Sequence, residues 1–189
     1  MEKIRTVLMD IKAEELGFTY PHEHLICHPP NWVIEKDLDL ELPDVEKAVE
    51  ELRYFYNTGG RTLVEATAID YGRQPEDLKY IAKQVLVHII CTTGFIKEPY
   101  YPDWVKTATI DDLTELFVKE INEGIDGTAV KVGQIKAGSS YNVITEQEEK
   151  VIRAVARAQR VTGTPVFMYT ENGTMALEQL KILKEESQI

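Results

Sequence analysis

The feature that most constrains the fold of this chain is a regular alternation of short β-type runs with amphipathic helical segments. Short apolar runs rich in β-formers predict strands, and apolar residues at helical spacing follow each of them. A strand–helix pair repeated five times calls for a parallel sheet with right-handed crossovers. The predicted strands cover residues 17–24, 62–68, 85–92, 128–135 and 166–170, and the predicted helices begin near residues 44, 75, 111, 145 and 175.

Two architectures are built from such repeats. A doubly wound nucleotide-binding fold is disfavoured because no glycine-rich fingerprint or phosphate loop follows any predicted strand. A TIM (β/α)8-type barrel usually needs around 250 residues, and this chain of 189 residues supplies about five units. We therefore predict an α/β fold: one domain over residues 1–189 that forms an incomplete barrel. Residues 3–12 precede its first strand as a short strand pair or a lid.

Composition limits the partners and the compartment. The net charge of −11 argues against nucleic acid or an anionic membrane as the main partner. Two cysteines, Cys27 and Cys91, make no disulfide framework, which fits a reducing cytoplasm. The amino-terminal residues lead into no apolar signal segment, and no apolar run approaches the roughly 20 residues of a membrane span. We predict a cytoplasmic protein that binds neither nucleic acid nor membrane.

Two histidines lie two residues apart at the end of the first predicted strand. His22 and His24 share one face there, because successive strand residues point to opposite sides. Two neutral imidazoles on one face can hold a divalent metal. The helical zinc motif H-E-x-x-H is excluded because its fifth position is Ile26. The spacing alone leaves open a structural role in which both histidines merely cap a strand.

One lysine interrupts an apolar run in the fourth predicted strand. Lys131 lies between Val130 and Val132, so its side chain faces away from the two valines and, if they pack outward, into the barrel. A buried lysine is costly unless it is paired or modified. Desolvation lowers its pKa, and the neutral amine can act as a nucleophile or react with carbon dioxide. A structural ion pair with a carboxylate at the rim remains an alternative.

Five stretches follow one another along nearly the whole chain, at residues 16–25, 72–73, 91–95, 130–133 and 164–179. They include the run LGFTYPHEHL around the two histidines and the run GTMALEQ near residue 179. Together these stretches resemble the phosphotriesterase family of the amidohydrolase superfamily.

The resemblance implies a metal-dependent hydrolase with two divalent ions, zinc in most cases. His22 and His24 would bind the more buried ion, and Lys131, N6-carboxylated, would bridge both. The substrate would be a small lactone or phosphotriester attacked by a metal-activated hydroxide. The complete protein would be a homo-oligomer, most simply a dimer.

The sequence departs from the family pattern at the metal site. Tyr169 occupies the strand-five site position, where relatives have a metal-binding histidine, and a barrel-lining aromatic is the simpler role for it. A histidine after strand six and an aspartate after strand eight have no counterpart within these 189 residues. The leading prediction is therefore a phosphotriesterase-like hydrolase, and the alternative is a catalytically inactive barrel fragment that binds metal weakly or associates with a partner.

Overall fold

The computed structural model describes residues 3–187, in which five parallel strands form one sheet. The strands lie side by side in chain order, each hydrogen-bonded to the next. A two-stranded antiparallel hairpin precedes them, as the sequence predicted. The hairpin is β1 (Lys3–Arg5) with β2 (Asp10–Lys12), and the sheet contains β3 (Phe18–Glu23), β4 (Gly60–Glu65), β5 (His88–Gly94), β6 (Gln134–Ser139) and β7 (Val166–Thr170).

Helices connect successive strands, and local signals set their ends. The Asp44 carboxylate accepts a hydrogen bond from the Lys47 N–H at the start of the first long helix. Thr145 and Glu148 form a capping box at the start of the longest helix, which ends at Gly163 with φ 71°. The helices are α1 (Asn31–Ile34), α2 (Val45–Asn57), α3 (Pro75–Gln84), α4 (Asp103–Thr107), α5 (Ile110–Asn122), α6 (Glu146–Thr162) and α7 (Ala176–Ser187).

The sheet curls so that its first and last strands face each other. In a flat sheet, four strand spacings of about 4.8 Å would hold β3 and β7 roughly 19 Å apart. Instead, the rings of His22 on β3 and Phe167 on β7 have centroids only 4.8 Å apart. The structure is therefore an incomplete TIM barrel, and the predicted fold class is confirmed.

The fourth strand of this sheet is not where the sequence placed it. We predicted residues 128–135, but β6 spans Gln134–Ser139. Val130 and Val132 are fully buried without belonging to the sheet. Their backbone bonds go to α5 and to the connection after it: the Val132 N–H donates to the Glu120 carbonyl in α5 (3.3 Å), and the Val130 carbonyl accepts from the Ile125 N–H in the connection (2.9 Å).

Lys131 consequently precedes the strand and is only partly buried. The prediction that Lys131 points into the barrel from a strand is wrong. The physical reason is that the two flanking valines enter the hydrophobic core from the segment before β6, and a pattern of alternating apolar residues does not distinguish such a segment from a strand.

Within the described residues, none of the helices is both long enough and apolar enough to cross a bilayer.

Candidate metal centre

The carboxyl end of β3 presents the two predicted histidines together. His22 lies on the strand, and His24 follows its last residue. Their ring centroids are 5.3 Å apart, with an interplanar angle of 75°. Two imidazoles bound to one tetrahedral ion through bonds of about 2.0–2.1 Å have centroids roughly 5 Å apart. The arrangement fits a shared divalent ion.

A hydrogen-bond chain sets the tautomer of His24. Its Nδ1 lies 2.7 Å from the Thr67 hydroxyl oxygen, and this hydroxyl donates to the carboxylate of Glu65. A hydroxyl has a single hydrogen, so Thr67 must accept from His24 and Nδ1 carries the ring proton. The lone pair of Nε2 is therefore available to a ligand. Burial, and next the Lys136 charge, lower the pKa of His24 to about 3, so the ring is neutral.

Lys136 on β6 is the lysine that the barrel buries beside these histidines. It is 2% exposed, and its Nζ donates to the Ala66 carbonyl at 2.9 Å. The same Nζ lies 5.7 Å from the centroid of the Phe167 ring, which also contacts His22. Burial lowers the pKa of Lys136 to about 8, against the opposing effect of Asp70 and Glu65. Burial, followed by the Lys136 charge, also lowers the pKa of His22.

We expected Lys131 to be a buried lysine with a lowered pKa, and Lys136 is the residue that has these properties. A signal for the correct residue was present in the sequence: Gln134, Lys136 and Gly138 alternate with the fully buried Ile135 and Ala137. Such an alternation is typical of a strand that presents polar residues on one face of the sheet and apolar residues on the other.

Tyr169 lies two residues after Phe167 on β7 and therefore shares its interior side of the sheet. Among the described residues, no group of three or more His, Cys, Asp and Glu side chains is arranged to hold a metal ion. The donor set that the structure brings together is therefore His22, His24 and the amine of Lys136.

Buried acids that sequence analysis did not single out surround this donor set. Glu65 is fully buried, and burial raises its pKa to about 7 against three hydrogen bonds that favour the ionised form. Asp70 accepts from the Ile96 N–H at 2.7 Å, and burial raises its pKa to about 7 as well. Glu65 is the last residue of β4, and Asp70 lies in the loop that follows. The carboxyl ends of strands and the loops after them are where parallel barrels place their reacting groups.

Fold and site together define a barrel of the amidohydrolase type, with histidines on the first barrel strand and a buried lysine on the fourth. The sequence profile of the phosphotriesterase family matches residues 2–188. The chain belongs to the phosphotriesterase family, as the resemblance predicted.

Several relatives are named as hydrolases. A phospho-furanose lactonase of Mycoplasmopsis agalactiae is 35% identical over 190 residues, which are 93% of this chain and 54% of that protein. A human N-acetyltaurine hydrolase is 33% identical, with 97% of this chain and 61% of that protein covered. A crystal structure of a lactonase from Listeria monocytogenes superimposes with a TM-score of 0.92 at 45% identity, covering 98% of this chain and 62% of that one. The chain spans little more than half the length of the relatives it matches.

Proposed function

We propose that this chain provides metal-binding residues of a lactone-hydrolysing barrel, with His22, His24 and Lys136 holding a divalent ion, zinc by preference. The observation that carries the proposal is the convergence of two neutral imidazoles and one buried amine on the barrel interior. The names of two relatives, a phospho-furanose lactonase and a lactonase, support a small lactone as the substrate.

The side chains are prepared for this role by their surroundings. Because burial depresses their pKa, both histidines present neutral nitrogen at neutral pH rather than a repelling cation. Lys136, with its pKa lowered to about 8, is a neutral amine in about one molecule in ten at pH 7, far more than an ordinary lysine. Its nitrogen can form a bond to carbon dioxide and release a proton to solvent, which gives an N6-carboxylated lysine with an anionic oxygen donor.

A divalent ion bound there would supply Lewis acidity, lowering the pKa of water and polarising a carbonyl. The residues of this chain hold and orient that group. The donors described suffice for one ion, and the two-zinc site of the complete protein would require further donors.

The test is zinc stoichiometry measured by elemental analysis after metal loading in bicarbonate, together with lactone hydrolysis. Lys136→Ala and His24→Ala should each lower zinc content and any turnover. Lys131→Ala is the matched control and should keep wild-type values. Wild-type zinc content in Lys136→Ala would contradict the proposal. Zinc binding without turnover would instead favour the alternative, an inactive barrel portion.

A further inference from the structure

We propose that Thr67 and Glu65 act as a positioning relay that holds His24 in the tautomer with an unprotonated Nε2 before any metal arrives. The inference rests on the proposed role of His24 as a metal ligand, but it makes a claim about the metal-free protein. Thr67 contacts His24, and Glu65 contacts Thr67. Both would act on the metal only through His24, so both are positioning residues.

The relay is directional because each atom in it has a fixed hydrogen-bonding capacity. Glu65 accepts from the Thr67 backbone N–H (3.1 Å) and from the Leu25 N–H (3.2 Å). Each carboxylate oxygen thus accepts from one backbone donor, and the Thr67 hydroxyl also donates to the oxygen that the Leu25 N–H contacts. The hydroxyl is left with only lone pairs for His24. His24 therefore has to donate from Nδ1.

The same carboxylate fixes the backbone that carries the ring. Leu25 directly follows His24, so its bond to Glu65 ties the end of β3 to the end of β4. A second tie runs from the Ala66 N–H to the Glu23 carbonyl at 2.8 Å. Position and tautomer of His24 are thus set by one three-residue segment, residues 65–67.

Residues 65–67 also contact Lys136, another member of the proposed donor set. The Ala66 carbonyl accepts from Lys136 Nζ, while the adjacent Thr67 hydroxyl accepts from His24. Orientation of metal-binding histidines through the other ring nitrogen is a general device, and its removal typically weakens metal affinity about 10–100-fold. The neutral ring of a solvated histidine side chain prefers its proton on Nε2, the nitrogen that a metal would need here.

The first test is the ring ¹⁵N spectrum of histidine-labelled, metal-free protein, with the His24 signals assigned by their loss in His24→Gln. Wild type should show Nδ1 protonated and Nε2 unprotonated. Thr67→Val keeps the shape but removes the hydroxyl, so the Nε2–H tautomer should become populated. Thr67→Ser should restore the wild-type pattern. Glu65→Gln should give a mixture between wild type and Thr67→Val.

The matched control is Thr62→Val. Like Thr67, Thr62 is a fully buried threonine, but it lies on β4, and its hydroxyl donates to the Leu16 carbonyl at 2.6 Å near the amino end of the strand. It should lose comparable stability while leaving the His24 spectrum unchanged. An unchanged His24 tautomer in Thr67→Val would overturn the relay, and an unchanged tautomer in Glu65→Gln would remove Glu65 from it.

The second test is zinc affinity by competition with a chromophoric chelator. Thr67→Val should bind zinc about 10–100-fold more weakly than Thr62→Val, and Thr67→Ser should bind like wild type. Equal affinity of the two valine variants would overturn the relay's contribution to binding. If wild type binds no zinc yet shows the fixed tautomer, the proposed function fails while the relay stands.

Discussion

At the scale of single residues, burial and one buried cation together set the charge state of the site. The Lys136 charge is the second cause, after burial, of the lowered pKa of both His22 and His24. In turn, Asp70 and Glu65 keep the pKa of Lys136 from falling further. The site therefore combines the amine of Lys136 and two acids with raised pKa values, Asp70 and Glu65, with two histidine rings whose pKa values are lowered.

Removing that cation should raise the histidine pKa values. In Lys136→Met the pKa of His22 should rise toward 6.5 while staying below it, because burial remains. Lys131→Met should leave it unchanged. The measurement is an NMR pH titration of the ring signals in metal-free protein, and an unchanged His22 pKa in Lys136→Met would contradict the assignment of Lys136 as the nearby charge.

The raised pKa of Asp70 should make stability fall with pH. Its pKa is about 7 in the folded state against an ordinary 3.8, so the folded state binds the extra proton between about pH 4 and 7. The free energy of unfolding should therefore decrease across that window, by roughly 2–4 kcal/mol from this group. Asp70→Asn should lose that part of the decrease, as measured by urea unfolding at pH 4.5 and 7.5. Parallel pH profiles for the two proteins would contradict the assignment.

At the scale of elements, sequence patterns located helices better than strand registers. The helix starts near residues 44, 75 and 145 were predicted correctly because the signals that begin a helix are local. The register of β6 was not, since the two valines beside Lys131 enter the hydrophobic core from the segment before β6 rather than from the strand. The roles of Thr67 and Glu65 could not be predicted from the sequence, because their hydrogen-bond partners lie about 40 residues away along the chain.

A buried ion pair joins the loop after β4 to α5. The Arg73 guanidinium donates two hydrogen bonds to the Glu120 carboxylate and one to the Thr92 carbonyl at 3.1 Å. Both side chains are below 10% exposed. The pair fixes the loop that leads on from the end of β4.

Breaking this pair from one side should be costly. Glu120→Gln leaves the Arg73 charge buried without a counter-ion, and we expect a loss of about 3–5 kcal/mol in urea unfolding. Lys119→Met, on the next residue of α5, breaks only the exposed pair with Asp126 and should cost less than about 1 kcal/mol. A cost for Glu120→Gln as small as that of Lys119→Met would show that the loop is held by other contacts.

At the scale of the whole molecule, the described sheet has two unpaired edges, β3 and β7. Beside β3, a cavity of about 550 Å³ opens between the strand and α2, lined by residues that include Tyr20, Leu52 and Phe55. Phe18 and Tyr20 on this strand are 68% and 45% exposed. Open strand edges and exposed apolar groups of this kind promote association.

We therefore expect the 189-residue chain to associate through this edge. Light scattering after size exclusion should show oligomers, and Phe18→Lys with Tyr20→Lys should shift the population toward monomer. Leu86→Lys is the control, since Leu86 is 78% exposed but lies outside the sheet. A monodisperse wild-type monomer would contradict the prediction.

The central claim is that His22, His24 and Lys136 share one metal ion inside the barrel. Its most direct test is the anomalous difference map of zinc-loaded crystals, recorded on both sides of the zinc absorption edge. We predict a peak within about 2.0–2.1 Å of a ring nitrogen of each histidine, with the Lys136 side chain, or a carboxyl group on it, in contact with the same peak. A peak bound elsewhere, or one that contacts the histidines while Lys136 keeps its bond to the Ala66 carbonyl and points away, would contradict the account.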